Sequence, residues 1–213
     1  MPIITVASSK GGASKTTVAR ALLGHAAHLG RTVAALDADL NRSLADWCER
    51  MAQHPVTVRA TTDETQILPA VAELQDGHDL VVVDTAGASN QATIFAIGCA
   101  DLVLVPLKLS SSDLVEAIKT AKLVASAAMM AKREIPVRLL LSGFKPRTMI
   151  AAHIEGEIEK ARLPVLKAKL HDLVAFEEMT FNGRVPSSGL AGIQVYELFE
   201  EVSGIIGGEG GQA

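Results

Sequence analysis

The stretch that most restricts what this chain can fold into runs from Ile3 to Gly30. Ile3-Ile4-Thr5-Val6-Ala7 is a short β-branched run suited to a strand buried on both faces. Ser9-Lys10-Gly11-Gly12-Ala13-Ser14-Lys15-Thr16-Thr17 follows it. Val18, Ala21, Leu22, Ala26 and Leu29 then repeat at helical spacing, and Gly30 stands where a helix C′ residue belongs. A strand, a glycine-containing loop and a helix opening on Lys-Thr-Thr turn backbone N–H groups and the positive end of a helix dipole toward an anion. In such a loop Lys15 reaches the β- and γ-phosphates of a nucleotide and the Thr16 hydroxyl ligates Mg²⁺. Ser9 and Ser14 occupy the two glycine positions of the general G-x-x-x-x-G-K-[ST] pattern. A plain strand-to-helix turn with two solvated lysines would use the same residue types, so the rest of the chain has to discriminate.

Downstream, the pattern is an alternation of strands and helices. Arg31-Thr-Val-Ala-Ala-Leu-Asp37 reads as a buried strand that ends in Asp37-Ala38-Asp39, and carboxylates just past a strand's carboxyl end lie on the edge where open α/β sheets bind ligands. Ser43 is placed to N-cap a helix through Leu44, Trp47, Cys48 and Met51, with Trp47 as a packing residue. Val56–Ala60 alternates as a short or peripheral strand. Thr62 or Asp63 caps the next helix, in which Pro69 implies a late start or a kink. His78-Asp-Leu-Val-Val-Val-Asp84-Thr85-Ala86-Gly87 is an apolar strand ending in an acid, and Asp84 there can hold Mg²⁺ through water while Gly87 frees the following segment to move. Ala100–Pro106 and Pro136–Leu141 are further strands. Ser111 or Ser112 caps a long helix with an inward stripe of Leu114, Ala117, Ile118, Ala121, Val124 and Ala125. Another helix runs through Ile150, Ile154 and Ile158, and a last one from Leu190 to about Ile206.

Of the 213 residues, 48% are apolar but only 3% aromatic, so Val, Ile, Leu and Ala must fill the core, as in a parallel sheet flanked by helices. Regular β/α alternation predicts an α/β, three-layer fold: a mostly parallel twisted sheet with helices on both faces. One domain spans residues 1–206, followed by a disordered Gly-rich tail over 207–213. No signal peptide or membrane-span pattern is visible. Cys48 and Cys99 are isolated, which suits a reducing compartment and argues against a metal cluster.

Lys10 to Thr17, Asp37-x-Asp39 and the strand ending in Asp84-Thr85-Ala86 together resemble the deviant Walker A loop, the acidic edge and the Walker B strand of the ParA/MinD family of P-loop ATPases. The likeness extends more loosely to Leu170–Pro186, where a glycine follows a short helix. Because the sequence opens directly on its first strand, it resembles the small ParA-type members without an N-terminal helix-turn-helix domain. The resemblance implies ATP and Mg²⁺ as cofactors, with Lys10, Gly11, Gly12, Ala13, Ser14, Lys15, Thr16 and Thr17 binding the nucleotide and Thr16 and Asp84 serving the metal. It gives catalytic roles to Lys15, to Lys10 as the signature lysine pointing outward to the other subunit's phosphates in an ATP-sandwich homodimer, and to Asp39 in orienting the attacking water. Asp37 either shares that acidic edge or caps a local helix or loop. Asp113 stands near the nucleotide or simply in a first helical turn. A side chain at Ser14 restricts the loop and slows turnover.

Charge is distributed unevenly. Residues 132–170 carry nine Lys/Arg against four Asp/Glu, whereas residues 171–213 carry one against seven. Lys160, Arg162, Lys167 and Lys169, with Arg184 beyond them, are the expected contact surface for non-specific double-stranded DNA; solvated surface charge is the alternative. The function expected is a slow, partner-stimulated ATPase that positions or segregates a plasmid, a chromosome region or a large protein assembly. It would act with a small ParB-like or cargo-adaptor protein, in the bacterial cytoplasm and on the nucleoid. A MinD-like membrane role needs a basic amphipathic C-terminal helix, and Tyr196–Glu201 is acidic. A nucleotide-dependent scaffold with little turnover is the other alternative.

Overall fold

The computed structural model describes residues 1–50, 54–87 and 90–209. In chain order the elements are β1 (Ile3–Val6), α1 (Lys15–His28), β2 (Val33–Ala38), α2 (Ser43–Cys48), β3 (Thr57–Ala60), α3 (Glu64–Gln75), β4 (Leu80–Thr85), α4 (Gln91–Cys99), β5 (Leu102–Leu107), α5 (Ser111–Ala131), β6 (Val137–Phe144), α6 (Met149–Lys160), β7 (Leu170–His171), α7 (Val174–Asn182) and α8 (Gly189–Glu209). Among the described residues seven strands form one sheet in the order β3-β2-β4-β1-β5-β6-β7, and every pairing is parallel. Every residue of β1, β2, β4 and β5 is buried, which is why these strands read as unbroken apolar runs rather than alternating ones.

Within those runs the pleat still sorts side chains. Val82 of β4 and Leu104 of β5 point into a core covered by α1, α2, α7 and α8. Val81 and Val83 point the other way, against α3 and α4, and Val103 and Val105 meet α5 and α6. The three-layer α/β fold expected from the alternation is the one observed. With β1 between β4 and β5, the chain departs in opposite directions from this centre, and the crevice at the carboxyl ends of β1 and its neighbours is the topological switch point.

Several local expectations are corrected. Ser43 is the first residue of α2 rather than its cap; Arg42 precedes it in the left-handed region (φ 50°). The expected extension to Met51 lies outside the described residues. Pro69 sits inside α3, which starts at Glu64 with the Asp63 carboxylate accepting from the Thr65 N–H; the helix continues past the lost hydrogen bond because Ile67, Ala70, Val71 and Leu74 bury its inner face. The long helix α5 is capped by Ser110, whose hydroxyl accepts from the Asp113 N–H. Helix α8 carries on through Gly207 and Gly208 to Glu209, so the chain is still helical where a disordered tail was expected; residues 210–213 lie outside the described set. Trp47 is fully buried and its indole N–H donates to the Met179 carbonyl at 2.7 Å, tying α2 to α7 as a packing residue. Among the described residues no helix is long and apolar enough to cross a membrane.

Candidate functional site

The loop from Ala7 to Ser14 crosses the switch point, and its shape depends on a few backbone choices. Gly12 (φ +74°) and Ser14 (φ 68°) are both left-handed. For Gly12 that is free; for Ser14 the Cβ meets its own backbone at a cost of about 1 kcal/mol. Ser14 sits at the N-cap position of α1 without a side-chain capping bond, so what holds it there is the loop around it. Ser9, at the other glycine position, is anchored outward. Its hydroxyl donates to the Glu116 carboxylate at 2.6 Å and its N–H to the Thr120 hydroxyl at 3.2 Å, both on α5. Gly87 closes the loop from the β4 side: a Cβ there would stand 2.8 Å from the Gly11 Cα and N. Close backbone approach, rather than freedom to move, is the requirement the structure places on Gly87.

Lys15 opens α1, is 7% exposed, and donates to the Lys10 carbonyl at 3.2 Å, so the ammonium is folded over the loop. Burial lowers its pKa, while Asp84 and Asp39 pull it back up. Next along the helix, the Thr16 hydroxyl donates to Asp84 Oδ2 at 2.6 Å. Asp84 Oδ1 is buried without a partner among the described residues. Burial pushes the Asp84 carboxyl up to about 7, with nearby Asp37 adding to the shift and the Thr16 hydroxyl and Lys15 opposing it. A hydroxyl and a carboxylate side by side at a helix N-terminus, one carboxylate oxygen still unpaired, are an oxygen donor set fit for Mg²⁺.

Asp37 and Asp84 are register partners on β2 and β4, yet they do different work. Asp37 is fully buried; its Oδ2 accepts from the Leu44 and Ala45 N–H groups, both at 2.9 Å, and its Oδ1 from the Asp39 N–H at 3.0 Å. Of the two roles open to it from sequence, the capping one is the one seen: it satisfies the α2 N-terminus. Asp39 lies half-buried on the loop beyond β2, where its carboxylate accepts from the Asn41 backbone and side-chain N–H groups at 2.9 Å.

In the single chain Lys10 is turned to its own α5. Its ammonium is paired with the carboxylate of Asp113 and lies 3.1 Å from the Ser112 hydroxyl, at the start of α5 in the same chain. Asp113 is 5% exposed and also accepts from the Lys108 N–H and the Ser110 hydroxyl, so it is a pre-oriented anion and the lysine comes to it. Sequence reasoning missed Glu116 and Thr120, which hold the loop from α5, because that contact is long-range. It also missed Arg20. This guanidinium is 7% exposed, donates to the Ser43 carbonyl at 2.6 Å, lies 5.9 Å from the Trp47 ring and adds positive charge behind Asp84 and Asp37.

Of the basic residues expected to meet DNA, Arg184 stands apart from the rest. Lys160 is paired with Glu157 at 2.7 Å, and Lys169 with Glu155 while lying over the Phe144 ring. Arg162 and Lys167 flank the same groove between α6 and β6. Arg184 is elsewhere, on a cavity beside α1 and α2.

Comparison with known proteins follows the same lines. The profile of the VirC1 protein family matches residues 1–188. Over 192 residues the chain is 33% identical to Protein ParA of Rhizobium radiobacter, covering 88% of this chain and 86% of that one. Protein virC1 of the same organism is 31% identical over 190 residues, with 86% and 82% covered. A structure of Cyanothece McdA with ATP superimposes with a TM-score of 0.79 over 97% of this chain and 96% of that one, at 17% identity, which speaks for the fold. The strand-loop-helix, the acidic strand ends and these matches lead to one assignment: the chain belongs to the VirC1 family, among the ParA-type P-loop ATPases of partitioning and positioning.

Proposed function

We propose that this chain binds ATP with Mg²⁺ at the Lys10–Thr17 loop, hydrolyses it slowly, and uses the ATP state to dimerise and position a cargo. The observation that carries the reading is the pairing of the Thr16 hydroxyl with Asp84 Oδ2 at 2.6 Å under a buried Lys15, with Asp84 Oδ1 left unpaired among the described residues. Thr16 and Asp84 are the residues that would hold Mg²⁺, which when bound neutralises phosphate charge. The loop N–H groups from Gly11 to Thr17 and the α1 dipole bind the phosphates, and Lys15 spans the β- and γ-positions. Ser9 and Gly87 keep the loop in place from α5 and β4, so the donors are arranged before the nucleotide arrives. Asp39 orients the water that attacks, once the contacts with Asn41 give way. Lys10 exchanges Asp113 for the phosphates of the second subunit on dimerisation.

The cargo-handling part rests on kinship. A partner protein accelerates hydrolysis, and non-specific DNA binding holds the dimer on the nucleoid in the cytoplasm. Arg162 and Lys167 are the residues on the α6–β7 edge best placed to meet phosphates, since among the described residues neither side chain has a carboxylate partner of the kind that holds Lys160 and Lys169. Light scattering with and without Mg-ATP tests the division of labour. Wild type is expected to become a dimer, Lys10→Ala to bind ATP and stay monomeric, and Asp39→Ala to dimerise and remain so. Equal responses from the two variants would contradict it.

A further inference from the structure

The distal half of α1 borders a second positively charged hollow. Gly24, His25 and His28 face Arg50, His54 and the turn over 182–187 across a cavity of about 460 Å³. Two glycines let its walls approach. A Cβ on Gly24 would stand 2.1 Å from Val185 Cγ2, and one on Gly183 (φ +71°) would stand 3.3 Å from the Arg50 carbonyl oxygen. The Trp47–Met179 hydrogen bond fixes the same two walls to each other from behind.

The lining carries arginine and histidine side chains and, among the described residues, no acid; Glu200 acts on His25 from outside it. Its described residues include two arginines and three histidines and no carboxylate, in a chain whose net charge is −4. Arg184 is the sole Lys/Arg after residue 170, and it is used here. The nearest acids along α2 are engaged elsewhere: Asp46 and Glu49 turn to Arg42, at 3.9 and 3.6 Å. Arg50 donates its Nε to the Asp46 carbonyl, leaving the outer face of the guanidinium unpaired by any carboxylate among the described residues. Met51-Ala52-Gln53, which joins Arg50 to His54, carries no charge in the sequence. His28 and His54 stand edge to face with ring centroids 5.5 Å apart, and among the described residues His25 Nε2 is buried without a partner. Two guanidinium groups at a concave site whose described lining holds no carboxylate focus a positive potential, so such a hollow favours an anion.

We propose that this cavity is a second anion site that takes the phosphate group of a small phosphorylated molecule, held by Arg50 and Arg184 with His28 and His54 beside them. Guanidinium forks match phosphate oxygens in pairs, which a dispersed cluster of lysines would not. A concave volume of this size suits a small molecule rather than the convex back of a duplex. The site is separate from the phosphate loop: Gly24 and His28 lie nine and thirteen residues beyond Lys15 on α1, about 14 and 20 Å along the axis at the helical rise.

The test uses the full chain and glycerol 2-phosphate as probe, read by ³¹P line broadening and by calorimetry. It is run with Mg-ADP present and again in the Lys15→Ala background, so that the phosphate loop does not supply the signal. Saturable binding is expected, at least about tenfold weaker in Arg50→Gln and in Arg184→Gln. Both side chains are exposed, thermal melts report whether each variant is folded, and either one alone decides the question. No saturation, or equal affinity in wild type and variants, would overturn the proposal. Binding of a 20-base-pair duplex that depends on Arg50 and Arg184, with no binding of glycerol 2-phosphate, would also overturn it and assign the cavity to the nucleic-acid backbone.

Discussion

Two lysine-bearing stretches of this chain, the loop from Lys10 to Lys15 and the edge from Lys160 to Lys169, look alike by charge and differ in what surrounds them. In the loop, Lys15 is buried beside Asp84, and Lys10 is held by a carboxylate that the Lys108 N–H and the Ser110 hydroxyl have already oriented. On the edge, Lys160 and Lys169 pair with neighbouring glutamates on the surface of α6. Exposed pairs of that kind contribute little and are screened by salt, whereas charges in a desolvated cleft act at close to full strength. A charged side chain becomes a site through the backbone and carboxylates that constrain it, and the count of lysines says little about that.

The sharpest contrast is expected at Asp84. The folded carboxyl titrates near 7 and an unfolded one near 4. Between those values the folded chain holds the extra proton, so apo stability is greatest at low pH and falls as pH rises toward about 7. Mg²⁺ and nucleotide take the ionised form, so affinity should climb about tenfold per pH unit up to about 7 and then level off. Asp84→Asn should lose roughly 100-fold in Mg-ATP affinity by calorimetry, while its apo melting temperature at pH 8 rises by several degrees. A variant that lost stability and kept its affinity would remove the loop's claim to be different from the edge.

A smaller effect is expected at Gly87. Its Cβ would press on the Gly11 backbone at 2.8 Å, where nothing flexible can yield. Gly87→Ala should displace the loop and weaken nucleotide binding by about tenfold, a loss of roughly 1.4 kcal/mol. Ser14→Gly should go the other way. Removing the Cβ at φ 68° relieves about 1 kcal/mol of strain, partly offset by glycine's greater unfolded-state entropy. Faster turnover in an ATPase assay is the outcome that fits, and unchanged turnover would show that Ser14 does not limit the loop.

Last and smallest, charge reversal at Lys160 or Lys169 should change DNA binding less than twofold at low salt, because each is already paired. Reversal at Arg162 and Lys167 together should lower the log–log salt slope by about 0.9 for each phosphate that is no longer neutralised. If all four behaved alike, the edge would be a continuous basic surface after all.

How much of this was legible in the sequence follows the same division. Six of the seven strands and the phosphate loop were readable because buried parallel strands are contiguous apolar runs and the loop is a local motif. The two-residue strand β7 left no such trace, and α4, nine residues long and apolar almost all round, shows no amphipathic period to find. At the site, Lys15, Thr16 and Asp84 lie where the pattern put them. The Lys10–Asp113 pairing and the Ser9 bonds to Glu116 and Thr120 join residues more than a hundred positions apart, and no local pattern encodes such an arrangement. Asp37 shows the same limit: an acid at a strand end can serve a ligand or cap a helix, and the three N–H groups that decide it appear only after folding.

The most direct measurement is a calorimetric titration of Mg-ATP into wild type and Lys15→Ala, side by side. A buried ammonium folded over the loop predicts saturable one-to-one binding by wild type and none detectable by the variant, with both proteins melting cooperatively. Equal affinity in the two would contradict the phosphate-loop assignment.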